Sequence, residues 1–436
     1  MALAQAANIA EKIAGHDDNA ITQQDVSTFP SGGKDDTMKA LVWMGKNHLV
    51  EDRDVILKVT GSTVCGSDLH LLHGAILEMK KGDILGHEFC GEAAVVGRAV
   101  HNVEVGRRYV ASFQIACGEC WFCERRLSSQ CERTNANTLQ REAYGGRTAG
   151  IFGYAHLTGG FAGGQAEYVR VPLGDVNLLE IPDGVPDEKA LFLSDVLATS
   201  YHCVVDTGVE AGDSVAVWGA GPIGQMAGVF ALDKGAEKLI FVDTEPRLST
   251  MRGKFPADRL ELVDYKAPSG DEKGTVVGRL KELCRGRGPD VALECAAGEY
   301  AKGWLHRLEM TVGLETDTSE LVNEMIESVR SFGRCGVTGI YAGFTNHFNI
   351  GSLMQRGIRL IGNGQAPVHL YWKDLLKDIE RGKLDPMQMV SHRVRLEDLD
   401  KVYHVFDEKK DGMQKVFVET KFSYPASKDS PALTRY

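Results

Sequence analysis

Three glycines within six positions follow an apolar, strand-like segment, and this pattern limits the possible folds more than any other in the sequence. Gly219, Gly221 and Gly224 form the pattern G-x-G-x-x-G directly after the strand-like segment Val215–Trp218, and a helical pattern comes next. The following strand-like segment, Lys238–Val242, completes a strand, turn, helix and strand. Such βαβ units build parallel sheets, so this part of the chain is predicted to be an α/β domain with a doubly wound sheet of the Rossmann type.

The same turn predicts a dinucleotide site, because its glycines permit close approach of a pyrophosphate and the helix N-terminus offers unpaired N–H groups. At the end of the next strand, the Asp243 carboxylate is placed to accept hydrogen bonds from ribose hydroxyls. Its charge repels a 2′-phosphate, which favours NAD, although Arg247 could accommodate that phosphate and keeps NADP open. The predicted contacts in and after the turn are Gly219, Gly221, Pro222, Ile223, Gly224, Asp243 and Arg247.

The chain of 436 residues is long enough for two domains, because single hydrophobic cores stop growing at about 250–300 residues. Short β-branched segments, such as Ala40–Trp43 and Val55–Thr60, predict a strand-rich domain ahead of the dinucleotide fold. The predicted divisions are 1–37 for an N-terminal extension, 38–196 for the first part of the strand-rich domain, 197–355 for the dinucleotide fold, and 356–436 for the second part with the C-terminal tail.

The formal net charge of -11 disfavours binding to nucleic acid and to anionic membranes, which requires clustered Lys and Arg. No apolar run approaches the roughly 20 residues that span a bilayer, and the first residues lack the apolar region of a signal peptide. We therefore expect a cytoplasmic protein that acts on a small molecule.

Four cysteines crowd into fifteen positions of a lobe that spans residues 115–132, with the spacing C-x2-C-x2-C-x7-C. Four thiolates close a tetrahedral structural zinc site, and the adjacent Gly118 allows the tight turn that such wrapping needs. Four buried thiols are the alternative without a metal, and an iron–sulfur cluster is a second alternative, although no Pro follows the last cysteine. The predicted zinc ligands are Cys117, Cys120, Cys123 and Cys131.

A second candidate site combines Cys65, which follows a strand, with His87 and Glu88 in a turn flanked by glycine. A catalytic zinc takes three protein ligands and keeps one open position for water or substrate. Cys65 and His87 supply a thiolate and an imidazole, so a third ligand must come from elsewhere in the chain.

Four segments together resemble the zinc-dependent medium-chain alcohol dehydrogenases and, within them, the formaldehyde dehydrogenase-like branch. The resemblance covers about Met38 to Lys421 and implies a GroES-like catalytic domain beside the Rossmann domain. The segments are Cys65–His70, Gly86–Glu92, the four-cysteine lobe, and Ser194–His202 ahead of the glycine turn.

The resemblance also supplies the third ligand. Most members of the family place a Cys ahead of the nucleotide fold, and the matching position here is Asp195, as in the formaldehyde dehydrogenase-like branch. We therefore expect Cys65, His87 and Asp195 to hold the catalytic zinc, with Glu88 as the rival ligand. A carboxylate is a harder ligand than thiolate, so the metal would remain a stronger Lewis acid.

Further roles follow from matching positions. Asp68 resembles the carboxylate that fixes the tautomer of a metal-bound imidazole, and Ser67 with His70 resembles a proton relay to solvent. Gly66 replaces an Arg that many relatives use against the pyrophosphate, which leaves Lys415 as a weak candidate for that charge.

The resemblance implies a zinc-dependent oxidoreductase with two zinc ions per chain, transferring hydride between NAD and a small primary alcohol, aldehyde or aldehyde hydrate. It also implies a homodimer or homotetramer. Two alternatives remain open at this stage. One is a relative of the same fold with a larger specialised substrate, and the other is a catalytically idle NAD-binding structural protein. Residues 301–317 form a longer stretch than in ordinary relatives, and we expect them to cover the adenine end of the cofactor.

Overall fold

The computed structural model describes residues 51–74, 76, 78–267, 274–296, 318–341 and 343–436. The predicted N-terminal extension, the predicted strand Ala40–Trp43 and the stretch 301–317 lie outside these residues. The chain forms two compact units. One contains the described residues up to Asp195 together with Pro367–Tyr436, and the other contains the described residues of Val196–Ala366.

The first unit is built on a seven-stranded sheet and a separate two-stranded ribbon. The strands of the sheet are β1 (Val55–Ser62), β2 (Phe89–Val96), β3 (Arg108–Ala111), β6 (Tyr168–Val171), β7 (Leu178–Glu180), β14 (Val390–Arg395) and β15 (Lys415–Glu419), and those of the ribbon are β4 (Gln114–Ile115) and β5 (Gly150–Ile151). The order is β14-β15-β1-β2-β3-β7, with β6 also paired to β1. Val55, Leu57 and Val59 alternate along β1 and are fully buried in the core of this unit.

Helices of 4 to 13 residues and several 3-10 turns complete the described part of this unit. They are α1 (Gly66–Leu72), α2 (Trp121–Glu124), α3 (Thr138–Tyr144), α4 (Gly174–Asn177), α5 (Asp187–Ala190), α12 (Val368–Glu380) and α13 (Leu399–Asp407), with 3-10 turns at Ser128–Gln130, His156–Thr158, Leu191–Leu193, Pro386–Met389 and Leu396–Asp398. The sequence predicts α12 over Trp372–Arg381, and its buried residues recur at helical spacing. The helix ends just before Gly382, whose φ of +68° suits a C-terminal cap.

The second unit is a six-stranded parallel sheet. Its strands are β8 (Ser214–Trp218), β9 (Lys238–Asp243), β10 (Leu260–Asp264), β11 (Val291–Glu294), β12 (Arg334–Val337) and β13 (Arg359–Gly362), and its helices are α6 (Val196–Thr207), α7 (Pro222–Asp233), α8 (Arg247–Met251), α9 (Val276–Leu283), α10 (Glu320–Ser328) and α11 (Ile350–Gln355). The order β10-β9-β8-β11-β12-β13, numbered from β8, is the 3-2-1-4-5-6 order of the Rossmann fold. The predicted fold class is therefore confirmed.

The structure corrects one boundary that the sequence suggested. We predicted that the chain returns to the strand-rich domain at residue 356, but β13 pairs with β12 in the parallel sheet, and the return comes at Pro367. β13 has only two consecutive apolar residues, Leu360 and Ile361, and its side chains are largely exposed, so the sequence did not mark it as a strand of this sheet. The later strand β15 lies in the first unit, as predicted.

No helix within the described ranges is both long enough and apolar enough to cross a membrane.

Candidate metal and cofactor sites

The three predicted zinc ligands and Glu88 meet at one end of the β1–β2 pair. These strands are antiparallel, so the chain that leaves β1 at Cys65 lies beside the chain that enters β2 after His87. Asp195 follows the 3-10 turn Leu191–Leu193 and reaches the same place. One ligand atom from each of the four side chains lies within 4.8 Å of the others. The structure thus brings together residues that are far apart in the sequence.

The imidazole of His87 lies between two carboxylates, one near each ring nitrogen. Its Nε2 lies 3.3 Å from Asp195 Oδ2, and its Nδ1 lies 3.3 Å from Asp68 Oδ1. Burial lowers the pKa of His87, but acceptors on Asp195, Asp68 and Cys65 outweigh burial and hold that pKa well above its ordinary value. The surrounding groups therefore favour a positive charge at this position.

The donor set fits a zinc ion. One thiol sulfur, one imidazole nitrogen and carboxylate oxygens are the ligand types that zinc takes in proteins. Glu88 is almost fully buried, and its Oε2 has no hydrogen-bond partner among the described residues, which is costly for a carboxylate oxygen unless a cation binds it. The geometry agrees with the predicted ligands, while their binding of a metal stays a prediction.

Glu88 also has a buried cationic partner that the sequence did not reveal. Lys415, 2% exposed, places its Nζ 2.5 Å from Glu88 Oε1. Burial raises the pKa of Glu88 above its ordinary value, although the Lys415 charge opposes this shift. We predicted Lys415 as a contact for the cofactor pyrophosphate. The structure pairs its ammonium with Glu88 instead, and a contact with the cofactor stays a prediction.

Helix α1 carries the residues predicted to support the metal site. Cys65 is its N-cap, and the buried Asp68 accepts a hydrogen bond of 3.0 Å from the Cys65 backbone N–H. Ser67 and His70 lie one turn apart on the same helix and are partly exposed, as a route to solvent requires. Their function as a proton relay stays a prediction.

Three neighbours of this site were missed at the sequence level. Tyr154 stands edge-on to His87 with ring centroids 5.8 Å apart. Burial raises the pKa of Tyr154, although a hydrogen bond with the Ser67 hydroxyl acts to lower that pKa. Gln165 and Tyr403 form a hydrogen-bonded chain to Asp68. Tyr154 and Gln165 belong to glycine-rich segments without a metal motif, and nothing in the sequence of α13 links Tyr403 to the site.

The four cysteines of the lobe form the second cluster. One sulfur from each lies within 4.8 Å of the others, and the sulfurs of Cys117 and Cys123 are 3.9 Å apart. Zn–S bonds of about 2.3 Å in a tetrahedron place sulfurs about 3.8 Å apart, so this separation suits zinc. Backbone N–H groups of Glu119 and Cys120 donate to Cys117 Sγ at 3.4 and 3.3 Å, which stabilises a thiolate. Gly118 makes the turn with a φ of +79°.

The glycine turn connects β8 to α7 in the second unit, as predicted. Gly219 has a φ of +99°, which favours glycine, and Gly221 is the N-cap of α7, with Pro222 as the first helical residue. Asp243 ends β9, and its Oδ2 accepts a hydrogen bond of 2.7 Å from Ala220 N in the turn. The predicted cofactor residues of this unit therefore lie together at the carboxyl edge of the sheet.

Arg247 begins α8 and lies beside Asp243, with 3.8 Å between Arg247 Nη1 and Asp243 Oδ2. The Asp243 side chain is 6% exposed and that of Arg247 is 32% exposed. The carboxylate is therefore fixed by the turn, whereas the guanidinium lies at the surface.

Two glycines of the turn are expected to respond differently to alanine. A Cβ on Gly224 would collide with the carbonyl oxygen of Gly219, so Gly224→Ala should lower the free energy of unfolding by about 1–3 kcal/mol. A Cβ on Gly221 would meet no atom within 4 Å, so Gly221→Ala should fold normally. That Cβ would stand where the pyrophosphate approaches, and we expect it to weaken NADH binding about tenfold or more. Denaturant unfolding and NADH fluorescence titration measure the two effects. Normal NADH binding by Gly221→Ala would contradict the predicted site.

A cavity of about 670 Å³ lies in the second unit. Several cations line it, and at least two of them already have partners: Arg330 pairs with the Asp290 carboxylate, and Arg356 caps a helix. Arg356 donates to the carbonyl oxygens of Ile326 and Val329 at the end of α10. We therefore assign Arg356 to helix capping.

Comparison with known proteins agrees with this description. The sequence profile of the alcohol dehydrogenase GroES-like domain matches residues 51–183. A zinc-type alcohol dehydrogenase-like protein of Schizosaccharomyces pombe is 37% identical over 424 residues, covering 94% of this chain and 97% of that protein. A glutathione-independent formaldehyde dehydrogenase of Pseudomonas aeruginosa is 29% identical over 388 residues, covering 84% and 89%. Among solved structures, alcohol dehydrogenase TADH from Thermus sp. ATN1 is 30% identical with a TM-score of 0.68, covering 87% of this chain and 96% of that chain.

The fold, the two clusters and these similarities define a zinc-type medium-chain dehydrogenase. The chain belongs to the zinc-type alcohol dehydrogenase family, as its motifs predicted, and it is an oxidoreductase of that class.

Proposed function

We propose that this protein transfers hydride between NAD and a small primary alcohol, aldehyde or aldehyde hydrate, in the manner of a formaldehyde dehydrogenase. The observation that carries the proposal is the convergence of Cys65, His87, Glu88 and Asp195 within 4.8 Å. The similarity to a formaldehyde dehydrogenase supports the substrate class. That relative is described as glutathione-independent, and we expect this protein to act without glutathione as well.

Each residue has a defined task in this proposal. Cys65, His87 and Asp195 would hold a catalytic zinc, which supplies the Lewis acidity that favours loss of a proton from a substrate hydroxyl. Asp68 Oδ1 lies 3.3 Å from His87 Nδ1 and would favour a proton on that nitrogen, which would leave Nε2 to bind the metal. Ser67 and His70 would carry the substrate proton to solvent.

Glu88 is proposed as the neighbour of the metal rather than its permanent ligand. Lys415 already neutralises Oε1, which also lies 3.8 Å from His87 Nε2, and Oε2 is buried without a hydrogen-bond partner among the described residues. A carboxylate in this position would be available to the metal as a further oxygen ligand.

The four cysteines are proposed to hold a second, structural zinc. They supply four ligands and leave no open position for substrate, so this ion would act on the stability of the lobe rather than on the reaction.

NAD is proposed as the cofactor in preference to NADP. The Asp243 carboxylate is held by hydrogen bonds from Ala220 N and Thr244 N, each 2.7 Å long, so it cannot easily turn away from a 2′-phosphate. The Asp243→Asn variant should lower the preference for NAD over NADP about tenfold, roughly 1.4 kcal/mol, measured as the ratio of kcat/KM values. Asp264→Asn, at the matching position of the neighbouring strand β10, is the control and should keep the ratio. An unchanged ratio in Asp243→Asn would count against this assignment.

The direct test combines metal analysis with a substrate panel. Purified protein is expected to contain two zinc ions per chain. It should reduce NAD with formaldehyde or small primary alcohols, both with and without glutathione, as followed at the nicotinamide absorbance. Turnover that is confined to larger alcohols would reject the proposed substrate class. One zinc per chain and no turnover with any substrate would reject the catalytic site itself.

A homodimer or homotetramer is also proposed. Among the described strands, β13 is an edge strand that pairs only with β12, and its Leu360 side chain is 37% exposed. The adjacent helix α11 exposes Ile350 and Met354 by 59% and 66%. An unpaired edge with apolar neighbours favours pairing with a second copy. Analytical ultracentrifugation should show an oligomer that Met354→Glu weakens, whereas a monomeric wild type would exclude this assembly.

A further inference from the structure

A hydrogen-bonded chain runs from the C-terminal part of the first unit to the cluster at Cys65 and His87. The hydroxyl of Tyr403 donates to Gln165 Oε1 over 2.9 Å, and Gln165 Nε2 lies 3.3 Å from Asp68 Oδ2. Asp68 in turn faces His87 Nδ1. Each of these four side chains, from four separate segments, therefore lies next to the following one, and the last, His87, is a predicted metal ligand.

The amide of Gln165 has its orientation fixed. Its Nε2 donates to both the Thr63 carbonyl and Asp68, and its Oε1 is held by Tyr403. If the amide rotated by half a turn, its oxygen would face the Asp68 carboxylate and repel it. The Thr63 carbonyl and the Tyr403 hydroxyl thus together keep the donor side of the amide toward Asp68.

The backbone around Gln165 leaves it little room to move. The backbone N–H of Gly164 donates to the Gly86 carbonyl oxygen over 2.7 Å, and that of Gln165 donates to the Leu85 carbonyl oxygen over 3.0 Å. A Cβ on Gly86 would come within 2.5 Å of the Gln165 side chain, so the two segments are in direct contact. Gln165 therefore packs against the turn that delivers His87.

Tyr403 is equally anchored. It is 8% exposed and lies in an apolar cluster with Val64, which directly precedes Cys65. Burial and the nearby Asp68 carboxylate raise the pKa of Tyr403, so its hydroxyl remains a protonated donor at neutral pH. The phenol can therefore serve as a permanent hydrogen-bond donor.

We propose that Tyr403 and Gln165 are positioning residues for His87: by fixing Asp68 they set the orientation and basicity of the metal-binding imidazole. The inference rests on the proposed catalytic zinc. Groups that orient the partner of a metal-bound histidine strengthen metal binding, and their loss costs about 10- to 100-fold in affinity when they contact the histidine directly. Gln165 and Tyr403 act one and two steps further out, respectively, so the smaller effect is expected from Tyr403.

The test measures how fast the zinc-loaded protein releases metal to a chromogenic chelator. The open site should release zinc in a fast phase and the four-cysteine site in a slow phase. Tyr403→Phe should accelerate the fast phase about 3- to 10-fold, and Gln165→Met about 10-fold or more, with the slow phase unchanged. In the cobalt-substituted protein, both variants should shift the visible absorption band of the open site.

Tyr109→Phe is the matched control. Tyr109 is a buried tyrosine of the same unit whose hydroxyl accepts a hydrogen bond from Glu104 N, so its loss removes one hydrogen bond without touching the site. It should leave both phases and the cobalt spectrum as in the wild type. Circular dichroism establishes that each variant is folded before release is measured.

The outcomes separate the inference from the proposed function. A wild type that binds zinc only at the four cysteines refutes the catalytic site. A wild type with two zinc ions, and release rates and cobalt spectra unchanged in both Tyr403→Phe and Gln165→Met, refutes the positioning role alone. Equal acceleration of both phases, or the same effect in Tyr109→Phe, shows general loosening of the unit and also refutes it.

Discussion

Replacing Asp195 by alanine should remove one of the two zinc ions and reduce turnover by more than about 100-fold. The reason is the position of its carboxylate, 3.3 Å from the Nε2 atom of His87 and beside Cys65 and Glu88. Loss of a group that merely orients a ligand costs about 10- to 100-fold, so loss of a ligand itself should cost more. Zinc is measured by elemental analysis and turnover at the nicotinamide absorbance.

Asp183→Ala is the control for this variant. Asp183 belongs to the same unit, but its side chain is 87% exposed and its nearest cation, Arg107, is 3.6 Å away. It should keep both zinc ions and full activity, since exposed ion pairs contribute little. If Asp195→Ala also kept two zinc ions and wild-type turnover, Glu88 would replace Asp195 as the third ligand in this interpretation.

Replacing Cys131 by alanine should remove the other zinc ion and destabilise the first unit by more than about 4 kcal/mol. Cys131 is fully buried, and its sulfur accepts a hydrogen bond of 3.3 Å from Cys117 N inside the cluster. A structural metal contributes directly to folding, because the unfolded chain does not provide the assembled site. Denaturant unfolding with and without a chelator measures the effect.

Cys90→Ala supplies the comparison, because Cys90 is equally buried but belongs to neither metal cluster. It should lose only packing, about 1–2 kcal/mol, and retain both zinc ions. A similarly small loss in Cys131→Ala, with the metal content unchanged, would show that the four thiols are simply buried and bind no zinc.

The parts of this molecule that sequence predicts well are those whose residues are close in the chain. The glycine turn lies between β8 and α7, and the cysteine cluster spans fifteen positions, so spacing alone indicates both geometries. Cys65 and His87 indicate a metal site because both are common metal ligands and both lie in turns next to glycine. Asp195, in contrast, was chosen only because of the family resemblance, since an isolated aspartate carries no signal of its own.

The parts that sequence could not predict depend on tertiary contacts between distant positions. Tyr403 and Gln165 are 238 positions apart, and the Lys415–Glu88 pair joins positions 327 apart. No spacing pattern in the sequence indicates either contact. β13 was assigned to the wrong unit for a related reason, because an exposed edge strand has no apolar pattern and is recognised only by its neighbour.

The contrast in chain separation also bears on how the protein acquires metal while it folds. The four cysteines need only a short loop to close, which is a fast event with a small entropy cost, so they can capture zinc early. The other group spans residues 65–195 and exists only after β1 and β2 have paired and the chain has returned to them. We therefore expect metal incorporation in two kinetic stages during refolding, with the reactive centre loaded last.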